Sequence, residues 1–244
     1  MIDSRSQARI TGVLFILGTV PPIIAGMLWA PIVSSPDYLS LMAANSARIL
    51  LLALSNMLFL GCACAGIGIS LYPVLRRHGQ SLALGAMGFR LIEGALQVLG
   101  AILLVGLLAL SREFVKAGAP PDSFFQSAGA AIRMVRDWAS QGSAVFPWCI
   151  GAYIYYAIFF RTRLVPRWLS VWGLIGLTLF LVSAFAVMFG FLASFSPAQM
   201  LLSLPILVQE LALAGWLIIK GYKELTPIPG QMPAALEQEA ATID

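Results

Sequence analysis

Long apolar runs broken by short polar stretches dominate the chain. The runs occupy about residues 10–30, 49–72, 83–110, 143–160, 168–193 and 200–219. Each reaches or approaches the ~20 residues that carry a helix across ~30 Å of hydrocarbon. Lipid cannot satisfy open backbone groups, and the runs lack the alternation of a membrane barrel strand, so helices are the expected element. The pattern predicts an all-α fold, a polytopic bundle of six transmembrane helices filling residues 1–224 as a single domain. Residues 225–244 read as a flexible cytoplasmic tail, carrying Pro227, Pro229, Pro233, Glu237, Glu239 and Asp244 and no long apolar segment.

Two connections carry helical signals of their own, expected as short interfacial helices on the outer side. Ser35, Pro36 and Asp37 read as an N-cap, a first helical proline and a dipole-favoured acid, so a short helix should lead into the second span. Within 111–142, Phe124, Phe125, Ala128, Ile132, Val135 and Trp138 recur at helical spacing, with Arg133, Arg136 and Asp137 on the other face. That pattern fits an amphipathic helix at the outer interface or a lengthened start of the fourth span.

Composition agrees: 59% of the 244 residues are hydrophobic and 11% charged, against roughly 25% charged in soluble domains. The net charge of +4 does not imply nucleic acid, because the cations sort by membrane side. Nine of them (Arg5, Arg9, Arg76, Arg77, Arg161, Arg163, Arg167, Lys220, Lys223) fall on the side of the termini, and five (Arg48, Arg112, Lys116, Arg133, Arg136) on the other. The positive-inside rule then places both termini in the cytoplasm. The first run, about twenty residues with Pro21 and Pro22 inside it and no clear small-x-small site, reads as a retained span and not a cleaved signal.

Three charges break the apolar pattern: Arg90, Glu93 and Glu210 sit near the middle of spans. A charge there costs about 2.5–3.5 kcal/mol on insertion scales, so such groups face other helices or a wet cavity. In the third span Ala83, Ala86, Arg90, Glu93, Gln97 and Gly100 form one small and polar stripe. Ser203, Glu210 and Ala214 form another in the sixth span, with Gln209 adjacent. The candidate polar site is Arg90, Glu93, Gln97, Glu210 and Gln209, joined by Asn56 of the second span and Tyr153 and Tyr156 of the fourth.

The site admits rival readings. Arg90 can pair with Glu93 along its helix, or with Glu210 across the bundle, and simply lock helices together. Two carboxylates against one guanidinium leave a formal charge of minus one, however, so one carboxyl should hold a proton or a cation. That is what proton- or ion-coupled transport requires, the leading specific expectation. A scaffold or sensor binding lipid or a partner helix is the alternative, with Arg90 able to hold an anionic headgroup. An intramembrane enzyme using the two glutamates as acid and base stands behind both.

Missing motifs narrow the field. The sole histidine, His78, follows Arg76 and Arg77 in a loop, which excludes paired-histidine haem ligation and the zinc protease pattern. No lysine lies deep in a span, no Gly-x-Ser-x-Gly elbow occurs, and Gly66-x-Gly68 lacks the third glycine of a nucleotide fold. Cys62 and Cys64 are two residues apart on a helix and point to different faces, so no metal and no cofactor are expected, and packing is their expected role. The expected partners are the bilayer and further copies of the chain; the ligand is left open. Three spans followed by three place the halves in opposite orientation, and Pro21-Pro22 and Pro147 lie in the first helix of each half, a faint sign of an inverted repeat.

With the spans in place, the chain resembles the bacterial integral-membrane proteins grouped as domain-of-unknown-function family 4386. The resemblance rests on Ala8 to Ile16, Arg90-x-x-Glu93-Gly94, Pro166-x-Trp168-Leu169-x-x-Trp172-Gly173, and Gln209-Glu210 followed by Trp216-Leu217-Ile218-x-Lys220-Gly221. It implies a multi-pass protein of the bacterial inner membrane and no particular substrate or mechanism.

Overall fold

A computed structural model describes residues 4–33, 35–121, 123–192 and 196–223. Among them six helical stretches are long and apolar enough to cross a membrane. The first is α1 (Ser4–Val33); the expected short helix follows as α2 (Tyr38–Ala44), but its N-cap is Asp37 and not Ser35, whose Oγ accepts from the Asp37 amide at 3.2 Å in the turn before the helix. The second crossing is built of α3 (Ser46–Ser55), a π-helical turn at Asn56–Gly61, and α4 (Cys62–Leu75). The third is α5 (Gln80–Lys116). The fourth joins α6 (Phe124–Asp137), a second π-helical turn at Trp138–Ser143, and α7 (Val145–Thr162). The last two are α8 (Arg167–Met188) and α9 (Pro197–Ile219). The tail expected over 225–244 lies outside the described residues.

Neighbouring helices close a ring in the order α1, α4, α5, α7, α8, α9 and back to α1. Close approach is set by small residues. A methyl added at Gly94 of α5 would lie 2.6 Å from the Gly61 carbonyl, and one at Gly12 of α1 would lie 2.8 Å from the Ala214 carbonyl of α9. Gly61 and Gly68 meet α5, whereas Gly66 turns to Leu14 of α1.

The end of the ring that holds Ser4 and Lys223 is filled. Phe15, Tyr155, Tyr156 and Phe159 are buried there in a chain of aromatic contacts that continues to Tyr222. Gln7 and Thr11 of α1 bond to Ser70 of α4 at 2.9 and 3.1 Å, and Tyr222 bonds to Thr11 at 3.4 Å. At the opposite end α2 and α6 pack on α5.

Three local expectations change. Helix α1 runs through Pro21 and Pro22 without a break, whereas Pro147 falls in the first turn of α7, just after the π-helical turn that interrupts the fourth crossing, so the prolines do not mark matching positions in the two halves. The fifth crossing ends at Met188, short of 193. Arg136 is not on a solvated face: it is buried with its guanidinium 5.1 Å from the Trp29 ring centroid and 2.7 Å from Asp137.

Candidate functional site

The ring encloses a cavity of about 1500 Å³. Every ring helix contributes to its wall: Thr19 from α1, Cys64 from α4, Arg90, Glu93 and Gln97 from α5, Trp148 from α7, Phe180 from α8 and Glu210 from α9. Toward the end opposite Ser4 and Lys223 the wall continues through Tyr38, Arg133, Trp138 and Met200. The aromatic plug lies on the other side of the charges, so the cavity reaches them from one end only.

Arg90 Nη1 lies 2.9 Å from Glu93 Oε2 within the same helix, and both side chains are almost wholly sealed, at 3% and 7% exposed. The contact is one of charges and not of aligned dipoles: Arg90 Nε and Nη1 and Glu93 Oε2 find no directed hydrogen bond among the described residues. The other Glu93 oxygen accepts from the Cys64 thiol at 3.2 Å. Two glycines make room for Arg90. An added methyl at Gly68 of α4 would lie 2.9 Å from Arg90 Cβ, and one at Gly151 of α7 would lie 3.5 Å from Arg90 Cγ.

Glu210 is in a different state. It is half-buried, it faces the same cavity, and it accepts a hydrogen bond from Thr19 Oγ1 at 3.0 Å with the Trp148 indole alongside. Among the described residues no cation comes within ion-pair distance of it.

The remaining candidates divide. Gln97 lines the cavity and donates to the Ser140 carbonyl of the second π turn at 3.1 Å. Asn56 lines a neighbouring space of about 180 Å³ with Gln97, Arg136 and Ser140. Gln209 points away from Glu210, accepting from the Tyr156 hydroxyl at 2.6 Å and donating to the Leu169 carbonyl at 3.0 Å. Tyr153 pairs with Thr178 at 2.7 Å on the α7–α8 side. Thr19, Cys64 and Trp148 complete the centre and were not singled out for it by spacing. At the rim, burial pushes the Tyr38 phenol up against the opposing pull of Arg133, whose guanidinium lies 5.5 Å from the ring centroid. Among the described residues no group of three His, Cys, Asp or Glu side chains is arranged for a metal ion.

Fold and cavity together define a polytopic α-helical membrane protein with a charged centre reached from one end. The family described as Domain of unknown function (DUF4386) matches residues 10–221, and the chain belongs to it. No curated protein and no solved structure matches the chain.

Proposed function

We propose that this is a small carrier or permeation pathway of a bacterial inner membrane in which Glu210 exchanges a proton or cation with the interior cavity. Both termini lie in the cytoplasm on this reading, and the cavity opens outward. The observation that carries it is a half-buried carboxylate at the floor of a one-sided cavity with no cation of the described residues within ion-pair distance. Such a group gains and loses charge according to what occupies the cavity, as a coupling site must. The Arg90–Glu93 pair has the structural part, because each charge is already matched by the other. Movement through the ring requires the Phe15, Tyr155, Tyr156 and Phe159 plug to part.

The test is flux. In proteoliposomes holding the purified chain, a pH gradient should drive solute or cation uptake that Glu210→Gln abolishes. Absence of pH-dependent flux for every tested solute, with cells indifferent to Glu210→Gln and Glu93→Gln, removes the basis of the proposal. A lipid- or partner-binding scaffold is the second reading, favoured by the sealed intrahelical contact of Arg90 with Glu93. It gains if a co-purified lipid or protein is lost on changing Arg90 while no flux is measured.

A further inference from the structure

We infer that the cavity selects lipophilic cations, molecules with a bulky apolar or aromatic body and one positive charge, taken from the bilayer between α1 and α9 and held facing Glu210. This rests on the cavity reading above and names its ligand class.

Charge complementarity decides the sign. Among the described residues five charged side chains line the cavity: Arg90, Glu93, Arg133, Asp137 and Glu210. Arg90 is matched by Glu93 at 2.9 Å, and Asp137 is matched by Arg136 at 2.7 Å. Arg133 donates to the Val33 carbonyl at 2.9 Å and lies over the Tyr38 ring, at the rim. Glu210 alone is left unopposed at the floor. An anion reaching the floor would meet that carboxylate; Arg90 borders the cavity too, but Glu93 at 2.9 Å already balances its charge, so two carboxylates against one guanidinium leave the centre with a formal charge of minus one. The opposite charge is attracted in a low-dielectric setting, and Trp148, Trp138 and Phe180 add aromatic faces for a soft cation.

Size and route decide the body. The volume of about 1500 Å³ exceeds the ~300–1,000 Å³ of ordinary small-molecule sites. It is far too large for a bare proton path or a dehydrated metal ion, and its wall is mostly aliphatic and aromatic. Helices α1 and α9 touch at Gly12 and again through the Thr19–Glu210 bond, and beyond it both supply cavity-lining residues that are well exposed: Met27 at 66%, Met200 at 57% and Leu201 at 70%. That side of the cavity therefore has an apolar mouth toward acyl chains. Flexible methionine side chains suit a mouth that admits bodies of varied shape.

Tetraphenylphosphonium and tetraphenylborate share one shape and carry opposite charges, so they separate charge selection from apolar partitioning. Equilibrium dialysis with the purified full chain in detergent, corrected with protein-free micelles, should show the phosphonium bound at least about tenfold more tightly than the borate. Glu210→Gln should weaken the phosphonium about tenfold and erase the preference. Gly26→Phe fills the cavity from a position where an added Cβ meets nothing within 4 Å, and should weaken both ions. Gly106→Phe, equally open but away from the cavity, should weaken neither. Borate bound as tightly as phosphonium, or phosphonium affinity unchanged by Gly26→Phe, overturns the inference even if Glu210→Gln fails to fold. Phosphonium binding without any flux sinks the transport reading alone; proton-coupled flux without phosphonium binding sinks this inference alone.

Discussion

Thr19 donates its hydroxyl proton to Glu210 Oε2 at 3.0 Å and so ties the first crossing to the last at the level of the charged centre. A threonine inside a helix commonly bonds back to the carbonyl one turn earlier, as Thr178 does to Leu174 at 2.8 Å. Thr19→Val keeps the branched shape and removes the bond. The expected loss is about 0.5–1.5 kcal/mol in unfolding measured in mixed micelles, the range for one hydrogen bond inside a bundle. Stability equal to the parent would mean that the bond contributes nothing.

The Arg90–Glu93 pair should behave as a matched unit. Arg90→Met strands a sealed carboxylate, at a cost of roughly 3–5 kcal/mol, whereas the double change Arg90→Met with Glu93→Leu restores most of it. A thermodynamic cycle over the four proteins checks this. Additive losses would contradict a pair whose charges depend on one another.

Steric room around Arg90 gives a graded series. Gly68→Ala sets a methyl 2.9 Å from Arg90 Cβ and 3.2 Å from the Met87 backbone, whereas at Gly151 the first contact is 3.2 Å, with the Ala86 carbonyl. The former should cost more, on the order of 1–3 kcal/mol. Gly88→Ala, with nothing within 4 Å of the new carbon, should be close to neutral. Melting temperatures that ignore this order would contradict the close packing of α4 and α7 on α5.

Sequence pattern sufficed for the crossings because each run must be apolar enough for lipid and long enough to span it; those two demands fix number and approximate bounds. It also placed Arg90, Glu93 and Glu210 in the interior, since lipid penalises the alternative. What it missed is lateral. Thr19 and Trp148 look like ordinary span residues until the ring turns them toward Glu210. Gln209 sits beside Glu210 in sequence, but the 100° step of a helix sends it to Tyr156 and Leu169 instead. Tyr153 and Tyr156, three apart and so only about 60° around the helix from each other, still part, the one to Thr178 of α8 and the other to Gln209 of α9. The cavity itself has no linear signature, because it is the space enclosed by residues of all six ring helices, far apart in the chain.

Phosphonium binding should weaken as pH falls, because a proton on Glu210 cancels the charge facing the ligand. The charged and titratable groups around it are Arg90 and Glu93 on α5, Cys64 on α4, and Cys149, Tyr155 and Tyr156 on α7, with Thr19 the polar neighbour on α1. Arg90 is the one fixed cation among them, and Glu93 holds it. Dialysis across pH should therefore give a slope that flattens in Glu210→Gln. A slope unchanged in that variant would assign the proton to another group.

Whether Glu210 is reachable while Glu93 is not can be read most directly with dicyclohexylcarbodiimide, an apolar reagent that converts protonated carboxyls to stable acylureas. Native membranes would be treated and the peptides around both glutamates analysed by mass spectrometry. The adduct is expected on Glu210, reduced by Gly26→Phe, with Glu93 spared behind Arg90 and Cys64. Modification of Glu93 with Glu210 untouched would contradict the arrangement of sealed pair and open carboxylate on which the account rests.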